Sequence, residues 1–362
     1  MIFFAPRSSR RRAIMPIDAK APDKILVVRI GAAGDMVMIT PALRAILDHF
    51  PDSEVALLTS ADGKRMLTGF DARVRTFHLC NRKDPLYFWH KHRTLREVRS
   101  GNYGAVFCFE NNPKIQNFFK DYSCPKYMLR KARGHSSQQL LDAVMEALGG
   151  RVTLNRDNYP LHLPVSTQAK AEMTEYLRTQ GIDDDTFLIG LHPTFSGIDN
   201  PWQRLKRGRH HIWPAEYFGR LGKMLAMHGH VQGRPVQVVA NLLPSEQKIG
   251  QAVREASNGA LRLLIPPPNI ERYKAYLQRC DLLVVPNTGP MHMAAAVGTP
   301  VVALYSSQSV EDNAPFTAFE KFSVLRAEDT SQPHLGLAAI KPEAVFETCL
   351  LQIQKSAKNN PR

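Results

Sequence analysis

A short loop with an acidic residue follows the first apolar run of the chain. The loop Gly31–Asp35 comes directly after the β-branched stretch Lys24–Ile30. Its two glycines permit a tight turn and a close approach of the backbone to a ligand, and a carboxylate at such a place can serve as a general base. Asp35 also stands where a helix would begin, so capping of that helix is the alternative. The loop alone favours capping.

The loop does not match a dinucleotide-binding motif. That motif reads G-x-G-x-x-G and is followed about 20 residues later by an acid at the end of the next strand. Leu57–Ser60 stands there instead. Tyr87 and Lys91 match the Y-x-x-x-K pattern of dehydrogenases, but they do so alone, in a basic helix. We therefore expect no nicotinamide cofactor.

The segment Asp281–Tyr305 carries the second candidate site. An apolar strand runs into Asn287, Thr288 and Gly289, and a proline then occupies the first helical turn, where its missing N–H costs nothing. Free amides at a helix start bind anions, to which Thr288 can add a hydroxyl and His292 an imidazole. The alternative for His292 is a satisfied core histidine, which the spacing alone favours.

Two basic stretches suggest anionic partners. Trp202–Trp213 holds four basic residues and two histidines, which can clamp phosphates or form a solvated loop. Its aromatic residues, with Tyr217, would also suit stacking on RNA. Lys64 and Arg65, together with His90–Arg99, form a second basic face.

The elements that must position these residues alternate between strand and helix, which predicts parallel sheets covered by helices. Apolar runs predict strands at Lys24–Ile30, Glu54–Thr59, Val74–Leu79, Tyr103–Phe109, Thr186–Leu191, Pro235–Ala240, Leu261–Ile265, Asp281–Pro286 and Pro300–Tyr305. Apolar periodicity predicts helices at Met36–His49, Gln138–Leu148, Pro214–His228, Ser245–Ala256, Asn269–Arg279, Pro290–Val297 and Glu343–Gln354. Pro41 is a weak point of the first helix. Asn158–Thr167 is predicted to link two doubly wound α/β domains.

Composition narrows the class of protein. The 362 residues suffice for two domains, and 44% hydrophobic with 22% charged residues excludes wholesale disorder. Five cysteines without a C-x-x-C pair argue against a disulfide framework or a zinc site and favour a reducing compartment. No apolar run approaches the roughly 18 residues of a membrane span. The apolar stretch Met1–Ala5 is too short for the core of a signal peptide.

The formal charge of +14 is concentrated in the first half of the chain. Residues 1–165 hold 26 Lys and Arg against 15 Asp and Glu, whereas residues 166–362 hold 21 against 18. Such an excess points to nucleic acid, an anionic membrane surface or acidic small substrates. Six basic residues against two acidic ones lie in residues 1–24, in a tail that we expect to be disordered.

The motifs together resemble those of glycosyltransferase family 9, the ADP-heptose:lipopolysaccharide heptosyltransferases and their relatives. The resemblance covers roughly residues 24–350 and rests on GAAGDMVMITPALRA at 31–45, GLHPT at 190–194, IWPAEYF at 212–218 and NTGPMHMAAAVGTPVVALY at 287–305. It implies a GT-B architecture, with two Rossmann-like doubly wound domains facing a cleft. The expected order is a basic tail at 1–23, an acceptor-binding domain at 24–165 and a nucleotide-sugar-binding domain at 166–340. A final helix and tail at 341–362 would pack back on the N-terminal domain.

The resemblance also assigns roles to residues. Asp35 would be the general base of an inverting displacement that needs no metal and no cofactor. Donor phosphate and sugar would be bound by Asn287, Thr288, Gly289, His292, His211, Arg209 and Thr194. Glu246 would contact the ribose, and the acceptor-side loop would include Gly31, Gly34, Lys64 and Arg65.

Two residues on the donor side differ from the family pattern. Asn287 stands where an aspartate is usual, and His211 where a lysine is usual, two residues before Trp213 and Pro214. Asn287 offers hydrogen bonds without charge. His211 is a weaker, pH-dependent cation that Arg207 or Arg209 can assist.

Three functions follow, in order of preference. The first is transfer of a sugar, for which the family suggests heptose from ADP-heptose, to a lipopolysaccharide core or a related anionic glycolipid. The second is a catalytically impaired GT-B protein that binds a nucleotide or glycan without transfer. The third, a nucleic-acid binder, rests on charge alone, and we expect no nucleic-acid partner. The positive acceptor half suits a cytoplasmic protein in peripheral contact with the anionic inner face of the cytoplasmic membrane.

Overall fold

The computed structural model describes residue 17 and residues 21–80, 87–130, 132–195 and 211–359, without the side chains of 87–90 and 359. Most of the predicted basic tail lies outside these ranges, as do Arg207 and Arg209.

The first domain is built on a parallel sheet of five strands in the order β3-β2-β1-β4-β5. The strands are β1 (Lys24–Arg29), β2 (Glu54–Thr59), β3 (Val74–Leu79), β4 (Ala105–Cys108) and β5 (Lys126–Met128). The helices are α1 (Ala33–Met38), α2 (Thr40–His49), α3 (Ala61–Leu67), α4 (Tyr87–Ser100), α5 (Pro113–Phe118) and α6 (Ser136–Ala147). The strand order reverses at β1, so the loop after β1 lies at a topological switch point, where open α/β sheets bind ligands.

The second domain has a sheet in the order β12-β11-β10-β6-β8-β7, with β9 beside β8. Its strands are β6 (Phe187–Leu191), β7 (His230–Val231), β8 (Arg234–Asn241), β9 (Arg262–Leu264), β10 (Leu282–Pro286), β11 (Val301–Tyr305) and β12 (Phe322–Arg326). Only the pairing of β7 with β8 is antiparallel among the described strands. The helices are α7 (Thr167–Thr179), α8 (Ala215–Met227), α9 (Gln247–Ala256), α10 (Ile270–Arg279), α11 (Gly289–Ala296), α12 (Val310–Asn313) and α13 (Pro342–Asn359).

Both sheets are buried on two faces, and their inner faces share one core. Ile25 and Val27 of β1 belong to the same cluster of buried residues as Leu283 and Val285 of β10. The alternate residues of each strand belong to separate outer clusters. Because side chains of a strand alternate between faces, each sheet is covered on both sides. The predicted α/β fold of two doubly wound domains facing a cleft is confirmed.

The segment between the domains is hydrogen-bonded to both of them. The backbone N–H of Leu161 donates to the carbonyl of Phe316 at 2.8 Å, and that of Leu163 donates to Ala296 at 3.0 Å. In the other direction, the N–H of His162 donates to the Thr40 hydroxyl at 3.1 Å. The segment therefore fixes the two domains to each other as well as linking them.

The structure differs from the sequence prediction in several elements. The helix expected over Met36–His49 is two helices that meet at Ile39, because Pro41 lies in the first turn of a new helix. The predictions had no counterpart for the three-residue β5, for β12 at the edge of its sheet, or for α7.

The final helix is the main correction. The family resemblance led us to expect that it packs back on the N-terminal domain. Instead, Val345, Cys349 and Ile353 of α13 lie in the buried cluster on the outer face of the second sheet. Gln352 accepts a hydrogen bond from Ser323 of β12 at 2.8 Å. Apolar burial against its own domain holds this helix there. Among the described helices, none is long and apolar enough to span a membrane.

Candidate functional site

Two helix starts meet where the domains face each other. The loop after β1 leads into α1, and β10 leads into α11, so each helix begins at the carboxyl edge of its sheet. A Cβ added to Gly34 would lie 3.2 Å from the Cα of Gly289. A side chain at Gly34 would press on the Gly289 backbone. The sequence predicted that the loop glycines permit a tight turn and a nearby ligand, and Gly34 also permits the approach of the second domain. The Ser60 hydroxyl fixes the loop by donating to the carbonyl of Gly31 at 2.6 Å.

Asp35 caps its own helix and also faces the cleft. One carboxylate oxygen accepts from the N–H of Ala32 at 3.1 Å, and the other pairs with the guanidinium of Arg29 at 2.9 Å. The side chain remains 41% exposed. The capping alternative is therefore present in the structure, and it leaves the carboxylate open to the cleft. Its role as general base stays a prediction.

Two charged residues beneath the loop were missed in the sequence. Arg29 ends the buried strand β1, and its second guanidinium nitrogen donates to the carbonyl of Phe109 at 2.9 Å. The buried carboxylate of Glu110 accepts from the N–H of Ile30 at 2.6 Å. A charged residue at the end of an otherwise apolar strand was the available signal for Arg29.

Among the described residues, no side chain caps the start of α11. The hydroxyl of Thr288 donates to the carbonyl of Pro286 at 3.2 Å and not to the helix. The Asn287 amide donates to the side chain of Gln308. The first amides of this helix thus have no side-chain acceptor in the described part of the chain, and they form a site for an anion that the helix dipole reinforces.

His292 lies one turn into α11 and is 5% exposed. Burial, together with the neighbouring His135, lowers its pKa to about 4, and Asp35 partly opposes this shift. The imidazole is therefore neutral near pH 7. Its Nδ1 has no hydrogen-bond partner among the described residues, so the core-histidine alternative, which expects a satisfied ring, does not account for it.

Most of the predicted residues line one cavity of about 1140 Å³, here called the larger cavity. From the first domain it includes Gly34, Asp35 and Arg65. The second domain contributes His211, Asn287, Thr288, Gly289 and His292. The two halves of the chain thus contribute a carboxylate and an uncapped helix start to the same space.

A second cavity of about 430 Å³, here called the smaller cavity, adjoins it. Thr194 and Glu246 line this cavity, and Pro290 of the first turn of α11 lines both cavities. The phosphate-binding role of Thr194 and the ribose-binding role of Glu246 stay predictions. Thr194 contacts His192 at 3.3 Å, and Glu246 accepts from the N–H of Leu243 at 2.9 Å. Three consecutive prolines, Pro266, Pro267 and Pro268, form part of the wall. This mainly apolar space is suited to a flat ring system.

The cavities share four lining residues, which define the junction: Ala33, Asp62, Arg65 and Pro290. Lys64 is exposed in the same helix as Arg65, but it is absent from the described lining of both cavities, and so is Gly31. Arg209 lies outside the described residues. Among the described residues, no group of three or more His, Cys, Asp or Glu side chains could hold a metal ion.

Comparison with known protein sequences agrees with the motifs. Residues 206–335 match the model of glycosyltransferase family 9 (heptosyltransferase). The lipooligosaccharide heptosyltransferase 2 of Haemophilus influenzae is 24% identical over 204 residues, which cover 53% of this chain and 56% of that protein. The lipopolysaccharide heptosyltransferase 2 of Salmonella typhimurium is 27% identical over 37% of this chain and 40% of that protein. The match thus spans about half the length of these curated relatives.

Solved structures share the whole fold. A family 9 glycosyltransferase from Veillonella parvula superposes with a TM-score of 0.76 at 18% identity, covering 92% of this chain and 98% of that chain. The ADP-heptose lipopolysaccharide heptosyltransferase II of E. coli gives 0.68 at 18% identity, covering 92% and 99%. The GT-B architecture expected from the resemblance is confirmed. Residues 206–335 of this chain therefore match the family 9 glycosyltransferase (heptosyltransferase) model, and the chain shares its fold with solved glycosyltransferases of that family.

Proposed function

We propose that this protein transfers a sugar, heptose from ADP-heptose, to a lipopolysaccharide core or a related anionic glycolipid. The reaction is an inverting displacement that uses no metal. One observation carries the proposal: the carboxylate of Asp35 and the uncapped start of α11 line a single cavity. The relatives named above are heptosyltransferases that act on lipopolysaccharide or lipooligosaccharide, and this supports the choice of sugar and acceptor.

The donor spans the two cavities. Its base and ribose occupy the smaller cavity, where the buried Glu246 accepts hydrogen bonds from the ribose hydroxyls. Its diphosphate lies at the start of α11, close to the amides of Thr288 and Gly289. We assign further phosphate contacts to His211, which lines the same cavity, and to Arg209, two positions before it in the sequence. The sugar extends towards Asn287.

Asp35 takes the proton of the acceptor hydroxyl as that oxygen attacks the anomeric carbon. The bond between that carbon and the diphosphate breaks at the same time, which inverts the configuration. The charge that develops on the leaving diphosphate falls where the amides and dipole of α11 can stabilise it without reorganisation. His292 is neutral and buried beside this point, so it can contribute a hydrogen bond from its Nδ1.

The acceptor approaches along the first domain. This half of the chain carries most of the positive charge of the protein, and Lys64 projects from it at the surface. Such a surface attracts phosphorylated glycolipid and the anionic lipids around it. We propose peripheral contact with the inner face of the cytoplasmic membrane on this basis.

A panel of ADP-, GDP-, UDP- and dTDP-sugars, followed by thermal shift, tests the donor assignment, because a ligand that binds only the folded protein raises the melting temperature. ADP-heptose should give the largest rise. Incubation with that donor and a heptose-deficient lipopolysaccharide should then release ADP, equally with and without EDTA. A larger rise in melting temperature with another nucleotide-sugar would identify that compound as the donor. Loss of ADP release in the presence of EDTA would contradict the metal-free mechanism.

Binding without transfer is the alternative function, and one contact favours it. The position that precedes the helix start holds an amide, Asn287, which is engaged with Gln308 and carries no charge. The two functions differ in a single readout. Steady release of ADP excludes the binding protein, whereas a thermal shift with neither transfer nor hydrolysis supports it.

A further inference from the structure

The junction between the two cavities is built from both domains. Ala33, Asp62 and Arg65 belong to the first domain, and Pro290 belongs to the first turn of α11 in the second. A ligand that extends from one cavity into the other must pass between these groups. In the proposed nucleotide-sugar donor, the diphosphate joins the nucleoside to the sugar, so it is the part that would lie at the junction.

Arg65 is the cation at this junction. Its side chain is 72% exposed and pairs with Asp62 through one guanidinium nitrogen. A guanidinium carries five N–H donors, so this pair leaves others to bind a second anion. Among the described residues, Arg65 is the positively charged side chain that lines both cavities, whereas Lys64 lines neither.

We propose that Arg65 binds the diphosphate of the donor from the first domain, opposite the start of α11. The family resemblance placed Arg65 on the acceptor side, and the structure points to the donor instead. Planar guanidinium groups bind phosphate oxygens through paired hydrogen bonds. The diphosphate would then lie between the amides of one domain and the guanidinium of the other. This inference rests on the proposed function for the identity of the ligand.

The assignment has a consequence for how the site assembles. A donor held by both domains stabilises their contact at Gly34 and Gly289, so it also stabilises the position of Asp35 relative to the sugar. Arg65 is in this sense a residue that binds the leaving group and positions the two domains.

The test compares Arg65→Gln with Lys64→Gln, which removes the same charge from the next position of the same helix. Isothermal titration measures the dissociation constants of ADP, adenosine and inorganic pyrophosphate. Arg65→Gln should weaken the binding of ADP and of pyrophosphate about ten-fold, which is the effect of losing one hydrogen bond to a charged group. Adenosine binding should not change, and Lys64→Gln should bind all three ligands as the unmodified protein does. Arg65→Lys, which keeps the charge, should recover part of the loss.

Several results would overturn the inference. One is unchanged binding of ADP and pyrophosphate by Arg65→Gln, and another is an equal loss of affinity for adenosine. A third is a rise in the KM of the acceptor alone, which would assign Arg65 to the acceptor side. Failure of the unmodified protein to bind ADP would count against the proposed donor. Pyrophosphate still tests the junction in that case, because it carries the diphosphate without a base.

Discussion

The guanidinium of Arg29 lies 2.9 Å from the carboxylate of Asp35, and both groups belong to the switch point of the first sheet. Arg29 is held in turn by the carbonyl of Phe109. The carboxylate is thereby fixed from below by an ion pair and from the side by the N–H of Ala32. One face of Asp35 stays open to the larger cavity.

Removal of the Arg29 charge should reduce turnover without reducing the affinity for the donor. In Arg29→Met, Asp35 keeps its bond to Ala32 but loses the fixed direction of its other oxygen. Because small displacements of a reacting group are costly, kcat should fall about ten- to hundred-fold, while the dissociation constant of ADP stays unchanged. Arg29→Lys keeps a charge near Asp35, so its kcat should lie between those of the unmodified protein and Arg29→Met. A parallel loss of ADP affinity in both variants would indicate a collapsed loop and would remove Arg29 as a positioning residue.

Replacement of Asp35 itself should separate chemistry from folding. Asn at this position can still accept the hydrogen bond from Ala32, so the free energy of unfolding should change by less than about 1 kcal/mol. The proton acceptor is lost, and kcat should fall about 10²- to 10⁴-fold. Single-turnover kinetics with the donor at saturation measure this step. Normal turnover in Asp35→Asn would require another base.

The fold was largely predictable because its strands are short apolar runs between polar turns. The observed β2 and β3 have the predicted bounds, and β10 and β11 differ by one residue. Sequence patterning failed where an element buries little or is very short, as in β12 and β5. It also could not say against which sheet the final helix packs, since an apolar face such as that of α13 fits either domain.

The site was predictable in its parts but not in its arrangement. Motifs located Asp35 and the start of α11, but the contact between Gly34 and Gly289 joins residues that are far apart in sequence. Arg29 was not predicted as a site residue because it ends an apolar run that was interpreted only as a buried strand. Arg65 lines both cavities because of how the two domains face each other, and no local pattern in the sequence encodes that relationship.

The close approach of the two helix starts gives a prediction for Gly34. In Gly34→Ala the new methyl group would lie 3.2 Å from the Cα of Gly289, a backbone atom that cannot rotate away. The domains must therefore shift, and turnover should drop about ten-fold while the first domain stays folded. Gly289→Ala is the matched control, because its Cβ would meet Gly34 at an ordinary 3.5 Å. Steady-state kinetics of the two variants decide the matter, and equal activities would show that this contact does not limit the reaction.

The last prediction concerns a hydrogen bond between the domains. His135 donates from Nε2 to the carbonyl of Ala314 at 2.7 Å, while its Nδ1 accepts from the N–H of Ser137 at 3.1 Å. Protonation would place a second N–H against that of Ser137. Burial lowers the pKa of His135 to about 4, and burial also lowers the pKa values of His192 and His292 to about 4.

The sign of the pH dependence follows from these shifts. Above about pH 6.5 each histidine is neutral in both states and contributes no slope. As the pH falls from about 6.5 to about 4, the unfolded chain binds protons that the folded chain does not, so the free energy of unfolding decreases by up to about 1.4 kcal/mol per pH unit for each group. His135→Asn removes one of these groups and keeps a good helix cap. Urea unfolding should show a protein about 1 kcal/mol less stable at pH 7, because the bond to Ala314 is lost, and a shallower loss of stability towards pH 4. An unchanged slope would mean that His135 has the same pKa in the folded protein as in the unfolded chain.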